Sequence, residues 1–285
     1  MEYRDIVIIR SGGDIASGII ERLHKCGFKV VVLEVENPSS IRRNVCFGEA
    51  VYKKSMTING LTSNLANDIN EMEKIIQKGN IPVLVDEEGK YIEKLNPFIL
   101  IDSILAKKNL GTRINMAPIT IGVGPGFYAG KDVHAVIETK RGHHLGKVIY
   151  HGEAIKNSGI PGNICGFTKE RVIHSLWEGN IENISEIGNK VKKGQVIAKI
   201  NNNEILATID GILRGIIREG YFVTKGFKIA DIDPRIDEYE NCFTISDKAR
   251  SVGGGVLEAI LTLKNKIIGG NNGWNNFEKN CRIIK

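Results

Sequence analysis

Residues 6–38, "IVIIRSGGDIASGIIERLHKCGFKVVVLEVENP", constrain the fold more than any other stretch. An apolar, β-branched run leads to a glycine turn, an amphipathic segment, a second apolar run and an acid. "DIVIIR" has the make-up of a buried strand. "DIASGIIERLHKCG" puts Ile15, Ile19, Leu23 and Cys26 on one helical face and stops at Gly27. "FKVVVLEVE" is the next strand. The alternation continues to about residue 115. "NDINEMEKIIQKGN" has Ile69, Met72, Ile75 and Ile76 at helical spacing and ends at Gly79, and "IPVLVD" and "FILIDS" are further short apolar runs. Continuous apolar strands separated by helices imply a parallel sheet covered on both faces. The expected class is α/β plus β, with a Rossmann-like domain over residues 1–115.

From Pro118 the pattern changes to short Val- and Ile-rich segments punctuated by glycine, so a β-rich domain is expected over 116–235. Within it, residues 177–234 contain a repeat. "IGNKVKKGQVIAKI" and "REGYFVTKGFKIADI" each carry a glycine, a valine and a second glycine at equal spacing: Gly188, Val191, Gly194 and Gly220, Val223, Gly226. Repeated corners of this kind predict a small all-β unit with internal pseudo-symmetry. A C-terminal helical segment is expected at 236–263, with Ser246 as N-cap. Its triple glycine, Gly253 to Gly255, weakens a helix by roughly 1 kcal/mol per residue against alanine. It is tolerable where the backbone must approach something closely. Residues 264–285 read as a loosely held Gly/Asn-rich tail.

The chain of 285 residues is 42% hydrophobic and 25% charged, enough for a core without staples. No apolar run approaches the roughly 20 residues of a membrane helix. "MEYRDIVII" has an acid before its apolar run and no cleavage pattern, so no leader is expected. Cys26, Cys46, Cys165, Cys242 and Cys281 are odd in number and scattered, which suits a reducing cytoplasm. The net charge is +6, of which the tail from Lys264 holds +4 (five cations against Glu278), leaving +2 elsewhere. A body so close to neutral argues against a nucleic-acid platform.

The turn after the first strand sets Ser11, Gly13 and Ala16 where a dinucleotide fingerprint has Gly-x-Gly-x-x-Gly/Ala, with Gly12 following Ser11 at once. The helix from Asp14 would aim amides and a positive dipole end at an anion. Glu34, or Glu36, stands where an acid can accept from a ribose hydroxyl. Asp14 counts against a pyrophosphate, because a carboxylate repels it. The bland alternative is that Gly12 and Gly13 only make a tight turn. Asp102, ending "FILIDS", would lie at the crevice of a parallel sheet or cap the segment after it.

"GVGPGFYAGKDVHAVIETKRGHHLG" gathers Gly122, Gly124, Gly126 and Gly130, which lets backbone approach a ligand. Arg141 behind it could hold an anion. His134 and Glu138 share a strand face and, with His143, are weak metal candidates; surface or hydrogen-bonding roles are the commoner fate of such residues. Lys107 and Lys108 could reach a phosphate or form a solvated face. Cys165 reads as a buried structural cysteine rather than a nucleophile. The turn at 11–16 and the loop at 122–130 are expected to share one crevice. An anionic ligand would lie between them, with Arg141 offsetting its charge.

"RSGGDIASGIIERLHKCGFKVVVLE", "IRRNVCFGEAVY", the glycine-loop segment and "CFTISDKARSVGGGVLEAIL" together resemble the YqeB-type accessory proteins of selenium-dependent molybdenum hydroxylases, over residues 6–261. Xanthine dehydrogenase accessory proteins are similar in part. The resemblance implies a cytoplasmic maturation factor, not the hydroxylase itself. Its ligand would be a molybdopterin-type cofactor or an NAD(P)-like nucleotide. Its partners would be the apo-hydroxylase and other maturation proteins; assembly with copies of itself is left open. The family brings no catalytic residue set, and Ser11 stands where it usually has glycine. Residues 187–234 separately resemble a biotinyl/lipoyl-type barrel. "INNNEILATID" between the two halves has no lysine to carry a prosthetic group, so a scaffold or docking module is expected. The alternatives are an NAD(P)-dependent oxidoreductase and a non-covalent binding module.

Overall fold

A computed structural model describes residues 6–268. Among these, nine strands form one mixed sheet: β1 (Ile6–Arg10), β2 (Lys29–Glu34), β3 (Ser55–Ile58), β4 (Leu61–Ala66), β5 (Ile81–Val85), β6 (Ile99–Asp102), β7 (Ile119–Val123) and, after the two-residue β8 (Tyr128–Ala129), β9 (Ala135–Ile137) and β10 (Val148–Ile149). Their order is β10-β9-β7-β6-β1-β2-β5-β4-β3. The run from β4 to β9 is parallel; only the edge strands β3 and β10 are antiparallel. β8 pairs with β11 (Gly152–Glu153) as a separate ribbon.

Helices cover both faces, because the strands are apolar on both. Val7 and Ile9 of β1 face a core shared with α1 (Asp14–Lys25) and the later α5 (Asp247–Ile268). Ile6 and Ile8 point the other way, against Met72 of α3 (Ile69–Gln77) and Ile92 and Leu95 of α4 (Lys90–Leu95). Asp68 caps α3 by accepting from the Glu71 amide at 2.8 Å, and Gly79 ends that segment with a left-handed φ of 77°. The short α2 (Ala50–Lys53) follows the loop after β2.

The boundary expected at residue 115 does not divide this sheet. β7, β9 and β10 extend it, because "ITIGV" is buried on both faces, with Ile119, Ile121 and Val123 on one and Thr120 and Gly122 on the other, and adds in parallel to β6. The C-terminal helix is likewise part of this unit. It begins at Asp247, with the Ser246 hydroxyl accepting from the Ala249 amide at 3.1 Å, and packs along α1. Cys26, expected on the buried face of α1, lies past its end and is exposed. The tail from residue 269, with Cys281, lies outside the described residues. No described helix is long and apolar enough to cross a membrane.

The remaining strands form two four-stranded sheets: β12 (Val172–His174), β19 (Lys228–Asp233), β17 (Gly211–Ile216), β14 (Lys190–Val191), and β16 (Asn203–Leu206), β15 (Val196–Ile200), β13 (Gly179–Asn183), β18 (Phe222–Val223). Ile181, Ile197 and Ile200 of one meet Ile212, Leu213 and Ile232 of the other in a common core. The repeat is visible in the pairing: β13 bonds β18 and β17 bonds β14, so each half lends a strand to the other. All four repeat glycines, 188, 194, 220 and 226, have φ between 73° and 99°.

Residues 41–53 fasten the two units together. Arg43 donates to the Ile216 carbonyl at 2.8 Å, and Arg218 pairs with Glu49 and covers the Tyr52 ring. Gly215 is bare where a Cβ would stand 2.9 Å from the Ile41 carbonyl oxygen.

Candidate functional site

The parallel order reverses direction between β1 and β6, so the loops that leave their carboxyl ends part there. A cleft of ≈ 620 Å³ opens at that point. Ser11, Gly13, Asp14 and Ala16 line it from the first turn, Glu34 and Ser103 from the ends of β2 and β6, and Ser40 from the loop after β2. No side chain caps the first turn of α1, whose N-cap is Gly13, so its dipole end faces the cleft uncapped.

The turn is held from below by Glu34. Its carboxylate accepts from the Gly12 amide at 2.8 Å, the Val35 amide at 2.8 Å and the Ser11 hydroxyl at 3.3 Å. Burial pushes the Glu34 carboxyl up from its ordinary value, against those three donors, which pull it down. An acid so engaged positions the turn; two of its acceptor sites are already used by backbone amides. Gly12 is bare for a packing reason, since a Cβ there would lie 2.5 Å from the Gly48 nitrogen. Gly13 is different: a Cβ there would meet only the Ser11 and Ser40 hydroxyls, at 3.5 and 3.7 Å.

Ser11 has φ of 80°, the left-handed region that glycine occupies without strain. Ser11→Gly is therefore expected to be more stable than Ser11→Ala by about 1 kcal/mol, since both lose the hydroxyl and only alanine keeps the strain. Urea denaturation of the pair measures this; equal midpoints would show an unstrained turn.

Asp14 does not stand free against an anion. Arg42 Nη1 donates to both of its carboxylate oxygens at 3.0 Å. Asp102 is buried and does not line the cleft. It accepts from Arg10 at 3.2 Å and from the Thr112 hydroxyl at 2.6 Å. Arg10 does line the cleft. Sequence reasoning missed it, although a cation closing "IVIIR" is the same signal as the acid closing "FILID".

The shared crevice expected between the turn and the glycine loop is not formed. Gly122, Gly124 and Gly126 do not line the cleft; they pack against the chain itself. Added Cβ atoms would meet Phe127 at 2.5 Å, the Thr139 hydroxyl at 2.9 Å and the Lys108 backbone at 2.7 Å, respectively. The glycines admit these neighbours. Arg141 is also elsewhere, paired through both terminal nitrogens with Asp247 at 2.7 and 3.0 Å. That contact holds the Asp247 carboxyl well below the usual range.

His134 Nδ1 accepts from the Thr120 amide at 3.0 Å, and burial lowers its pKa. Glu138 accepts from the amides of Lys140 and Ile155, at 2.7 and 2.8 Å. His143 stands edge-on to His144. These three do not converge, and among the described residues no group of three or more His, Cys, Asp or Glu is placed to hold a metal. Cys165, expected to be buried, is exposed with φ of 50° on the loop before β12.

No family model matches the chain. The "Uncharacterized protein YqeB" of Escherichia coli (strain K12) is 51% identical over 258 residues, covering 90% of this chain and 48% of its own length. The chain thus spans about half the length of the curated relative it matches. Among solved structures, the product-bound ectoine utilization protein EutE (DoeB) from Ruegeria pomeroyi is similar at 11% identity, over 80% of this chain and 57% of that one, with a TM-score of 0.22. Its apo form gives 12%, 80%, 59% and 0.23. Likeness at that level carries no argument. The 51% identity over nine-tenths of the chain, in contrast, makes it similar to that YqeB protein along most of its own length.

Proposed function

We propose that the protein is a cytoplasmic maturation factor for a selenium-dependent molybdenum hydroxylase, and that it holds a nucleotide or molybdopterin-type anionic ligand in the cleft above β1 and β6. The observation that carries the reading is the cleft itself. An uncapped helix N-terminus faces it at the point where a parallel sheet reverses its order. The strand order β5-β2-β1-β6-β7-β9 is that of doubly wound, Rossmann-like dinucleotide-binding sheets, which supports the same reading. The two four-stranded sheets with their glycine corners suit a biotinyl/lipoyl-like barrel used to dock the apo-hydroxylase or another maturation protein.

Extraction of the purified full chain, with mass spectrometry and elemental analysis for molybdenum and selenium, tests the reading. A pterin or nucleotide at near-equimolar amount is expected; a nicotinamide turned over by the protein would favour an oxidoreductase instead. Gly13→Asp is expected to abolish ligand retention with little loss of thermal stability. The site accepts a Cβ, and aspartate is a good N-cap, but its charge occupies the anion's place. Undiminished retention in that variant would remove the cleft from consideration.

A further inference from the structure

A second pocket, of ≈ 340 Å³, lies beside the cleft, between the large sheet and the β-unit. The two share Asp14 and Ile15 at the start of α1 and Ser40 of the loop after β2. Six cations line this pocket: Arg42, Arg141, Arg171, Arg214, Lys228 and Lys248. They come from the loop after β2, the loop after β9, the residue before β12, β17, β19 and the first turn of α5.

Three of the six are matched. Arg42 is paired with Asp14, Arg171 with Asp231 at 3.0 Å, and Arg141 with Asp247. Asp233, the next carboxylate, is taken by Arg235 at 2.7 Å. The side chains of Arg214, Lys228 and Lys248 have no hydrogen bond or ion pair among the described residues, so three positive charges stand without a contacting counter-charge. Nε atoms of Arg42, Arg171 and Arg214 are buried without an acceptor. Arg42 and Arg171 are themselves only 5% and 6% exposed.

The fold works against this arrangement. Burial, and behind it the guanidinium of Arg42, Arg171 or Arg141, holds Arg214, Lys228 and Lys248 respectively below their ordinary pKa values. Asp231 opposes the effect on Arg214 and Lys228, Asp14 on all three, Asp233 on Arg214 and Glu138 on Lys248. Lys228 keeps solvent-exposed surface, as a side chain standing in an open cleft does. Like charges gathered in a partly desolvated pocket destabilise a protein unless a counter-charge occupies it.

We propose that this pocket is an anion site for a phosphate-class dianion, with Arg214, Lys228 and Lys248 as its donors. The surplus of three cations matches a phosphate better than a single carboxylate, and guanidinium and ammonium groups together suit its oxygens. The phosphate is free or forms the end of a larger molecule whose other end lies in the adjoining cleft. The site does not depend on what the cleft binds.

Thermal shift and calorimetry of the full chain with inorganic phosphate, and in parallel with a nucleoside diphosphate, provide the test. Phosphate is expected to raise the melting temperature of the wild type. Lys228→Met and Lys248→Met are expected to melt no lower than wild type without phosphate, because a repulsion is removed. Both should bind phosphate roughly ten- to hundredfold more weakly, as loss of one charge-assisted bond predicts. Gly13→Val, at a position that lines the cleft and not the second pocket, should keep phosphate binding. If it also lowers the affinity for the diphosphate to that for phosphate, the ligand spans both pockets; if phosphate and diphosphate bind alike throughout, the free ion is the ligand. No phosphate-dependent shift in wild type, or an equal shift in Lys228→Met and Lys248→Met, would overturn the proposal. So would loss of phosphate binding in Gly13→Val.

Discussion

Adding one methyl group at Gly255 is expected to destabilise the protein by about 3 kcal/mol, whereas the same group at Gly254 is expected to stabilise it by about 0.5–1 kcal/mol. The two glycines are neighbours in α5, and helix propensity alone gives both substitutions the same favourable sign. Packing separates them. A Cβ at Gly255 would stand 2.0 Å from the Gly146 carbonyl oxygen, a backbone atom that cannot swing away. A Cβ at Gly254 meets nothing within 4 Å. Gly253 belongs with Gly255, since its Cβ would lie 2.6 Å from the Gly18 carbonyl oxygen of α1. Gly18 is bare for the reciprocal reason, with Ala249 2.5 Å from where its own Cβ would be. Urea denaturation followed by circular dichroism measures all of these. Equal shifts for Gly254→Ala and Gly255→Ala would mean that α5 does not sit against α1 and the 142–146 loop in this way.

Asp102→Ala is expected to cost about 3–5 kcal/mol, because it leaves the Arg10 guanidinium buried without its counter-charge. Arg10 and Asp102 are 7% and 1% exposed, and both contact the Thr112 hydroxyl. Replacing both, as Arg10→Leu with Asp102→Leu, is expected to recover most of that loss, since no orphaned charge remains. The double variant also removes a cation from the cleft wall, so a ligand extracted from wild type should be depleted in it even where the fold has recovered. A double variant no more stable than Asp102→Ala would show that the pair serves through its hydrogen bonds and not through charge balance.

Much of the large sheet is legible in the sequence because its information is local. β1, α1, β2, α3, β5 and β6 each have a periodicity or a stop residue within their own span. The β3–β4 hairpin escapes that reading, although Asn59-Gly60 between alternating segments is a strong hairpin signal and both residues have positive φ, 49° and 79°. The change of texture after residue 115 is real, but it records shorter loops and more glycine, not the end of the sheet. Whether a strand adds to an old sheet or starts a new one depends on partners far along the chain. The site divides in the same way. Ser11, Gly13 and Glu34 could be found because a strand-to-helix turn and its acid lie within one local unit. The glycines at 122–126 misled because backbone room looks the same in sequence whether a ligand or the chain's own Phe127 fills it. Arg214, Lys228 and Lys248 gave no signal at all. Each is an ordinary cation in its own segment, and only the docking of the β-unit on the sheet gathers them.

The pairing of α1 with α5 sets a schedule for the nascent chain. Helix α1 ends at Lys25 and its partner begins at Asp247, so more than two hundred residues must be synthesised between them. At about 5–20 residues per second that interval is on the order of 10–45 s. The last strand of the sheet, β10, is complete at Ile149, yet the groove that receives Val252, Val256 and Ile260 stays bare until α5 is made. Of the two described units, the large sheet is therefore begun before the β-unit and finished after it. A helper that covers that groove during translation would act on the one face the chain cannot yet close for itself.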